Sequence, residues 1–229
     1  MNSKERLKKA FIMSIPVLTG YIFLGIGFGI IMESKGFNFL WSFAMGLFIY
    51  AGSMQYVAID LLTGGASLIS AAFTTLMVNA RHLFYGVSMI DKYKKCGKSK
   101  PYMIFALTDE TYSLVVSDKT DDKKLYFYIS LFNHCYWVIG CTLGGLIGLI
   151  IPFSTEGIDF ALTALFVTVF VEQWLTTKNH LSAIIGVVST FVCLLIFGSK
   201  YFLIPSMAVI TLLLTFLRKY TVEKEDGDA

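Results

Sequence analysis

Arg81 is the residue whose chemistry is hardest to reconcile with its surroundings in the sequence. It lies with Asn79 and His82 inside an apolar stretch over residues 68–90, and the next charges begin at Asp91, ten residues later. A helix rises about 1.5 Å per residue, so Arg81 would lie roughly 15 Å inside, half of a hydrocarbon core. A guanidinium there costs at least ~2.5 kcal/mol unless it faces a partner or a water-filled cavity. A substrate carboxylate and a structural ion pair both explain it.

Two adjacent carboxyl groups form the second unusual point. Asp109 and Glu110 occupy the middle of a short apolar segment over residues 101–117. One is predicted to pair with Arg81, and the other is a candidate proton or cation site because burial and a like-charged neighbour favour a neutral carboxyl. His82 is a further candidate proton carrier, or an ordinary interhelical hydrogen-bond donor. Alternatively, the segment is a shallow interfacial loop and both acids are hydrated.

A third candidate region is the centre of the apolar segment over residues 37–63. Small and polar residues there, including Gly52, Ser53 and Gln55, predict a helix that breaks inside the membrane. Broken helices expose amide and carbonyl groups that bind the charged ends of small solutes. These three residues and Asn79 are therefore candidate substrate-binding residues. The alternative is that their side chains only hydrogen-bond neighbouring helices.

Composition places these residues in a membrane protein. The 229 residues are 55% hydrophobic and only 15% charged, against about 25% charged in soluble domains. Apolar segments recur throughout, so we expect a single integral membrane domain over residues 1–220 and a polar cytoplasmic tail over 221–229. The first helix is expected over 10–32 and is too long for the apolar region of a signal peptide. The net charge of +3 is interpreted as a topological signal, so the bilayer rather than nucleic acid is the expected partner. The sequence contains no phosphate-binding glycine loop and no zinc-ligand spacing, which predicts neither a cofactor nor a metal.

The distribution of lysine and arginine favours one arrangement of the eight apolar segments. If all eight cross the membrane, 11 basic residues lie on the inner side and 7 on the outer side. If segments 37–63 and 101–117 enter and leave on one side, the counts become 16 and 2. The sequence therefore predicts an all-α polytopic membrane protein with about six spanning helices, two re-entrant or broken helical segments, and a cytoplasmic amino terminus. Seven or eight spans remain open.

Three motifs follow one another along the chain: Gly52–Tyr56, Asn79–Gly86 and Thr108–Glu110. Together and in this order, they resemble the motifs of the AzlC-type branched-chain amino-acid exporters. The second is the most specific, and the resemblance covers almost the whole chain. It implies secondary export of leucine, isoleucine, valine or similar apolar amino acids across the cytoplasmic membrane, with a small AzlD-type membrane subunit. Members are generally described with about seven spans, which differs from the arrangement predicted above.

A transporter for apolar amino acids, driven by a proton or ion gradient, is therefore the leading hypothesis. A zwitterionic substrate requires donors for its carboxylate, which Arg81 and the backbone at Gly52 and Ser53 offer. It also requires an acceptor for its ammonium, which Asp109 or Glu110 offers; the second carboxyl is then free for coupling. Phenylalanine and methionine side chains are expected to line the remainder of the pocket.

Two other classes are weighed against transport. A membrane-embedded enzyme would use Asp109, Glu110, His82 and His134, and it would change its substrate covalently. A non-transporting scaffold or assembly subunit would use Arg81 and the acids only as structural pairs. In a scaffold, exchanging Arg81 with Asp109 should preserve function.

Overall fold

The computed structural model describes residues 2–94, 96–118, 120–150, 160, 167, 170–171, 174–175 and 179–217, with only the backbone at 200, 203 and 204. The chain divides into two compact units, Met1–Leu162 and Thr163–Ala229. The helices of the first unit are α1 (Ser3–Ser34), α2 (Phe39–Phe48), α3 (Gly52–Thr63), α4 (Leu68–Val78), α5 (Arg81–Ser88), α6 (Ile90–Tyr93), a 3-10 turn (Gly97–Ser99), α7 (Lys100–Phe105), α8 (Asp109–Ser117) and α9 (Lys123–Ile150). Those of the second are α10 (Leu181–Tyr201) and α11 (Leu203–Phe216).

Helices are the regular elements of every described part, as expected for a polytopic membrane protein. Among the described residues, three helical stretches are long and apolar enough to cross a membrane: Ser3–Ser34, Lys123–Ile150 and Leu181–Ser199. Gly198 has non-helical dihedral angles, with φ of 69°, and interrupts α10 near its end. The tail expected over 221–229 lies outside the described residues, as does most of the chain over 151–178. The count of six spanning helices therefore stays a prediction.

Helices α1 and α9 form the packed centre of the first unit and run parallel. Their residues meet in rising order, from Ala10 against Leu125 to Glu33 against Gly148. Between these ends the two backbones touch, because glycines leave no side chain to separate them. A Cβ atom added at Gly144 would collide with the backbone of α1. Such small-residue contacts are typical of helix pairs in membranes.

Segment 101–117 breaks in its middle, and its two halves return to the same end of α9. Helix α7 ends at Phe105 and α8 begins at Asp109. Met103 in the first half and Val115 in the second belong to one buried cluster with Tyr126, at the amino-terminal end of α9. The segment therefore enters and leaves on one side of the unit, as predicted.

The depth of this re-entrant segment follows from its contacts with α1. At its end, Asp118 pairs with Lys9 at 2.7 Å, whereas at its turn Glu110 accepts a hydrogen bond from Tyr21 at 2.6 Å. Lys9 and Tyr21 are 12 residues apart in one helix, which is about 18 Å. The turn that carries the two acids therefore lies roughly 18 Å farther along α1 than the contact at Lys9.

Lys92 places the basic loop over residues 91–100 at this same end. Its ammonium donates hydrogen bonds to the carbonyl oxygens of Val115 at 2.7 Å and Asp118 at 3.4 Å. The amino terminus, this loop and the loop after α8 are thus gathered on one side. This agrees with the re-entrant arrangement and not with the crossing of all eight segments.

Segment 37–63 also breaks and turns back, but from the opposite end. The first residue of α2 lies against Gly145, and the first residue of α3 lies against Trp137, eight residues nearer the amino-terminal end of α9. Tyr56 in α3 then packs on Phe28 of α1, with ring centroids 5.7 Å apart, back toward the end where α2 began. The predicted break is confirmed.

The stretch over residues 68–90 is interrupted as well, which the sequence did not indicate. Helix α4 ends at Val78 and α5 begins at Arg81. Asn79 therefore lies in the turn between two helices and not on a continuous helix with His82. The backbone tightens there, with the amide of Ala80 donating to the Met77 carbonyl at 3.4 Å. Contacts of Arg81 with two other segments fix the start of α5.

Candidate functional site

Three helices begin at one place inside the first unit, and each brings one member of a polar cluster. Arg81 at the start of α5 pairs with Asp109 at the start of α8, with Nη1 and Oδ2 2.8 Å apart. Its Nη2 donates a hydrogen bond to Ser53 Oγ near the start of α3, at 2.5 Å. The predicted pairing of Arg81 with one of the acids is confirmed, and the partner is Asp109. Helix amino termini carry partial positive charge, so this cluster favours anionic groups.

The ion pair is only partly enclosed. The Arg81 and Asp109 side chains retain 27% and 29% of their accessible surface. A planar guanidinium with both Nη atoms engaged is held in a fixed orientation. The pair is thus oriented by the protein and still open to a small molecule on one side.

Glu110 occupies a different environment one residue later. Its Oε2 accepts a hydrogen bond from the hydroxyl of Tyr21, whose side chain is 5% exposed. The Tyr21 hydroxyl also lies 2.7 Å from Thr108 Oγ1, in the turn before α8. Glu110 is partly enclosed, and these contacts hold it against α1. This favours the buried arrangement of Glu110 over a hydrated interfacial loop.

Gln55 stabilises the break between α2 and α3. Its side chain is fully buried, and its Oε1 accepts hydrogen bonds from Trp137 Nε1 at 2.8 Å and from the Ala51 amide at 3.2 Å. Its Nε2 has no hydrogen-bond partner among the described residues. A Cβ atom at Gly52 would lie 3.2 Å from the Trp137 ring, so a side chain there would press on this ring. Gln55 thus stabilises the break through its Oε1 atom, while its buried Nε2 donor has no hydrogen-bond partner among the described residues.

Asn79 and His82 lie beside the cluster without joining its described hydrogen bonds. The Nδ1 atom of His82 is 3.2 Å from the backbone carbonyl oxygen of Asn79, and its ring packs edge-on against Tyr85. The Asn79 Oδ1 atom is buried and has no hydrogen-bond partner in the described part of the chain. Their proposed roles in binding and proton transfer stay predictions.

Three residues in contact with the site were missed from the sequence: Tyr21, Asn133 and Trp137. Asn133 donates from Nδ2 to Thr111 Oγ1 at 3.0 Å, and a buried amide in an apolar helix is a usable signal. Tyrosine and tryptophan give no such signal, because both are common at membrane interfaces.

Comparison with known proteins identifies the family. The sequence model described as "AzlC protein" matches residues 16–151, which contain every residue of the cluster. The chain belongs to the AzlC family. It is 44% identical over 227 residues to the "Branched-chain amino acid transport protein AzlC" of Bacillus subtilis (strain 168), across 96% of this chain and 89% of that protein.

Other relatives of this AzlC-family protein carry less specific names. An "Uncharacterized membrane protein" of Haemophilus influenzae is 44% identical over 216 residues, 92% of this chain and 88% of that one. The "Inner membrane protein YgaZ" of Escherichia coli (strain K12) is 30% identical over 166 residues, 68% of each chain. No solved structure matches the chain. The family is one of membrane transport proteins, so the enzyme hypothesis is set aside.

Proposed function

We propose that this AzlC-family protein is a secondary transporter that exports branched-chain or similar apolar amino acids across the cytoplasmic membrane. Export is coupled to a proton or ion gradient and requires a small AzlD-type membrane subunit. The name of the Bacillus subtilis relative, a branched-chain amino acid transport protein, supports the substrate class. Residues 1–220 act as one transport domain, with the polar tail and the amino terminus in the cytoplasm.

The observation that carries this proposal is the Arg81–Asp109 pair at the meeting point of three helix starts. An amino acid is a zwitterion and can insert into such a pair without leaving a charge unpaired. Its carboxylate replaces Asp109 on the guanidinium, and its ammonium binds the released Asp109 carboxylate. The charge-assisted hydrogen bonds between Arg81 and Asp109 are replaced by bonds of the same kind to the substrate. These bonds compensate the cost of removing the charged groups of the substrate from water.

The remaining polar groups of the broken segments fit the same ligand. Ser53 holds one side of the guanidinium, and the amides at Gly52 start a helix whose positive end favours a carboxylate. The uncommitted Nε2 of Gln55 and Oδ1 of Asn79 offer a further donor and a further acceptor.

The two re-entrant segments explain how one site can serve both sides. They enter the first unit from opposite ends, and the cluster lies where their turns meet Arg81. Movement of either segment would open the site to one side while the other keeps it closed, which is alternating access.

Efflux from loaded cells tests the proposal. Cells that lack other exporters take up a leucine-containing dipeptide, and leucine is followed inside and outside. We compare the chain alone, the chain with its small subunit, Arg81→Gln, and the matched control Arg6→Gln. Arg6 also pairs with an aspartate, Asp122, but at the end of α1. Faster release that requires the subunit and is lost only in Arg81→Gln is expected; equal release from all cells would refute leucine export.

The ion pair itself gives some support to the alternative, a non-transporting scaffold or assembly subunit. A structural pair would offset the cost of Arg81 without any substrate. Arg81→Asp combined with Asp109→Arg separates the two functions. A scaffold should tolerate this exchange, whereas a transporter should lose activity because the guanidinium moves away from Ser53.

A further inference from the structure

The two adjacent carboxyl groups at the start of α8 have partners of different kinds. Asp109 is neutralised by Arg81 at 2.8 Å. Glu110 accepts its hydrogen bond from the neutral hydroxyl of Tyr21. The described contacts thus give Asp109 a charged partner and Glu110 a neutral hydrogen-bond donor.

Tyr21 belongs to a connected series of polar groups that reaches two other helices. Its hydroxyl lies 2.7 Å from Thr108 Oγ1, which in turn lies 3.2 Å from the Thr111 hydroxyl. Asn133 of α9 donates to Thr111 Oγ1 at 3.0 Å. These contacts join the turn before α8 to α1 and α9. Glu110 is thus linked through Tyr21 and Thr108 to α1 and α9, whose backbones are in contact.

The titratable groups around Glu110 are Asp109 on its own helix, Tyr21 on α1, Tyr50 at the break between α2 and α3, and Tyr85 on α5. The guanidinium of Arg81 also lies near Tyr85, but Asp109 and Ser53 engage it. Glu110 is partly enclosed, and a carboxylate there meets neutral hydroxyls and a second carboxylate, which disfavour its charge at this depth. The neutral acid is the form that suits this arrangement.

We propose that Glu110 carries the coupling proton and that Tyr21 positions its carboxyl group. This inference rests on the transport function proposed above. When the site opens to one side, the O–H bond of the Glu110 carboxyl breaks and the proton passes to water. The bond re-forms with a proton from water on the other side. Tyr21 stabilises the released carboxylate by its hydrogen bond, while Asp109 remains available to Arg81 and to the substrate ammonium.

Two transport measurements on one preparation distinguish coupling from binding. Liposomes contain the chain with the small subunit proposed above. Exchange of labelled leucine is measured at equal pH, and leucine accumulation is measured under an imposed pH gradient. Glu110→Gln should keep exchange within about twofold of the unmodified protein and accumulate no leucine above equilibrium. Asp109→Asn should lose both activities.

Tyr21→Phe tests the positioning role. It should keep accumulation but move the pH of its half-maximum upward by about one unit, because a hydrogen bond to the ionised carboxylate is lost. Tyr112→Phe is the matched control, since this α8 hydroxyl contacts Ser88 at 3.1 Å instead. The control should leave the profile unchanged.

The outcomes are separable. Accumulation by Glu110→Gln, or loss of its exchange while Glu110→Asp is active, would overturn the assignment and leave the transport function standing. If Tyr21→Phe folds and the pH dependence of its leucine accumulation is unchanged, the positioning role of Tyr21 is overturned. This test does not depend on whether Glu110→Gln folds. Absence of leucine exchange in the unmodified protein would refute the proposed function and this inference together.

Discussion

The Arg81–Asp109 pair is expected to hold the broken segments together, and a double-mutant cycle measures how strongly it does so. The perturbations are Arg81→Gln, Asp109→Asn and both together. Each variant keeps the side chain near its original size and removes one charge or both. Interaction energies in such a cycle isolate the pair from the separate effects of each substitution.

The expected magnitude follows from the geometry of the pair. Two unit charges about 4 Å apart attract by about 4 kcal/mol at an effective dielectric constant of ~20. The side chains keep 27% and 29% exposure, so hydration reduces this attraction to an expected coupling of about 2 kcal/mol. Each single variant should lose about 3 kcal/mol of unfolding free energy, because it leaves one charge at this depth without its partner. The double variant should lose about 4 kcal/mol.

The assay is unfolding of the purified protein in detergent by titration with a denaturing detergent, followed by fluorescence of its three tryptophans. Losses that add within about 0.5 kcal/mol would refute the reasoning. Arg81 would then have a different partner in the membrane. Leucine release by the double variant at the unmodified rate would refute its role in binding.

Three further predictions concern the support of the site. Gly144→Ala should destabilise the first unit by roughly 1–3 kcal/mol, because the added methyl group meets the α1 backbone. Gly20→Ala is the control: no atom lies within 4 Å of the added methyl group, so its stability in the same unfolding assay should be nearly unchanged. Burial opposes ionisation of Asp118, but hydrogen bonds including that from Lys9 outweigh it and keep the pKa of Asp118 below its ordinary value. Its contribution to stability should therefore be present above about pH 4 and be lost as the pH falls through the lowered pKa of the folded state; acid titration of Asp118→Asn should not show that loss. A cysteine introduced at Ser99 should react with an impermeant maleimide only from the cytoplasmic side, and labelling only from outside would contradict the proposed topology.

The sequence predicts the long helices and the chemistry of the site better than its geometry. Long apolar runs are sufficient to predict α1 and α9. The scarcity of charged residues around Arg81 is sufficient to predict that it has a partner. The choice between Asp109 and Glu110 depends on how α8 is rotated. Contacts with Tyr21 and Lys9 set that rotation, and no local pattern encodes them.

The breaks differ in how visible they are. Small and polar residues around Gly52 predict the break before α3. The sequence between Val78 and Arg81 contains neither glycine nor proline, so it does not predict the break before α5. That interruption arises because Ser53 and Asp109 hold the guanidinium, so tertiary contacts override local helix propensity. Trp137 was missed because a tryptophan in an apolar helix is usually interpreted as lipid-facing. Only the tertiary structure shows that its indole donates a hydrogen bond to Gln55.

The contact between α1 and α9 has a consequence for synthesis. Roughly 90 residues separate Ser34 from Lys123, so at about 5–20 residues per second α1 leaves the ribosome some 4–18 s before α9. Arg81 and Asp109 are also made in this interval, before the helix that braces Gln55 exists. A nascent chain that stops short of Lys123 contains both charges of the pair but not the helix against which their segments pack. Assembly of the site must therefore be one of the later events in the biogenesis of the first unit. Until then, a quality-control factor would meet these charged side chains without the helix that covers them.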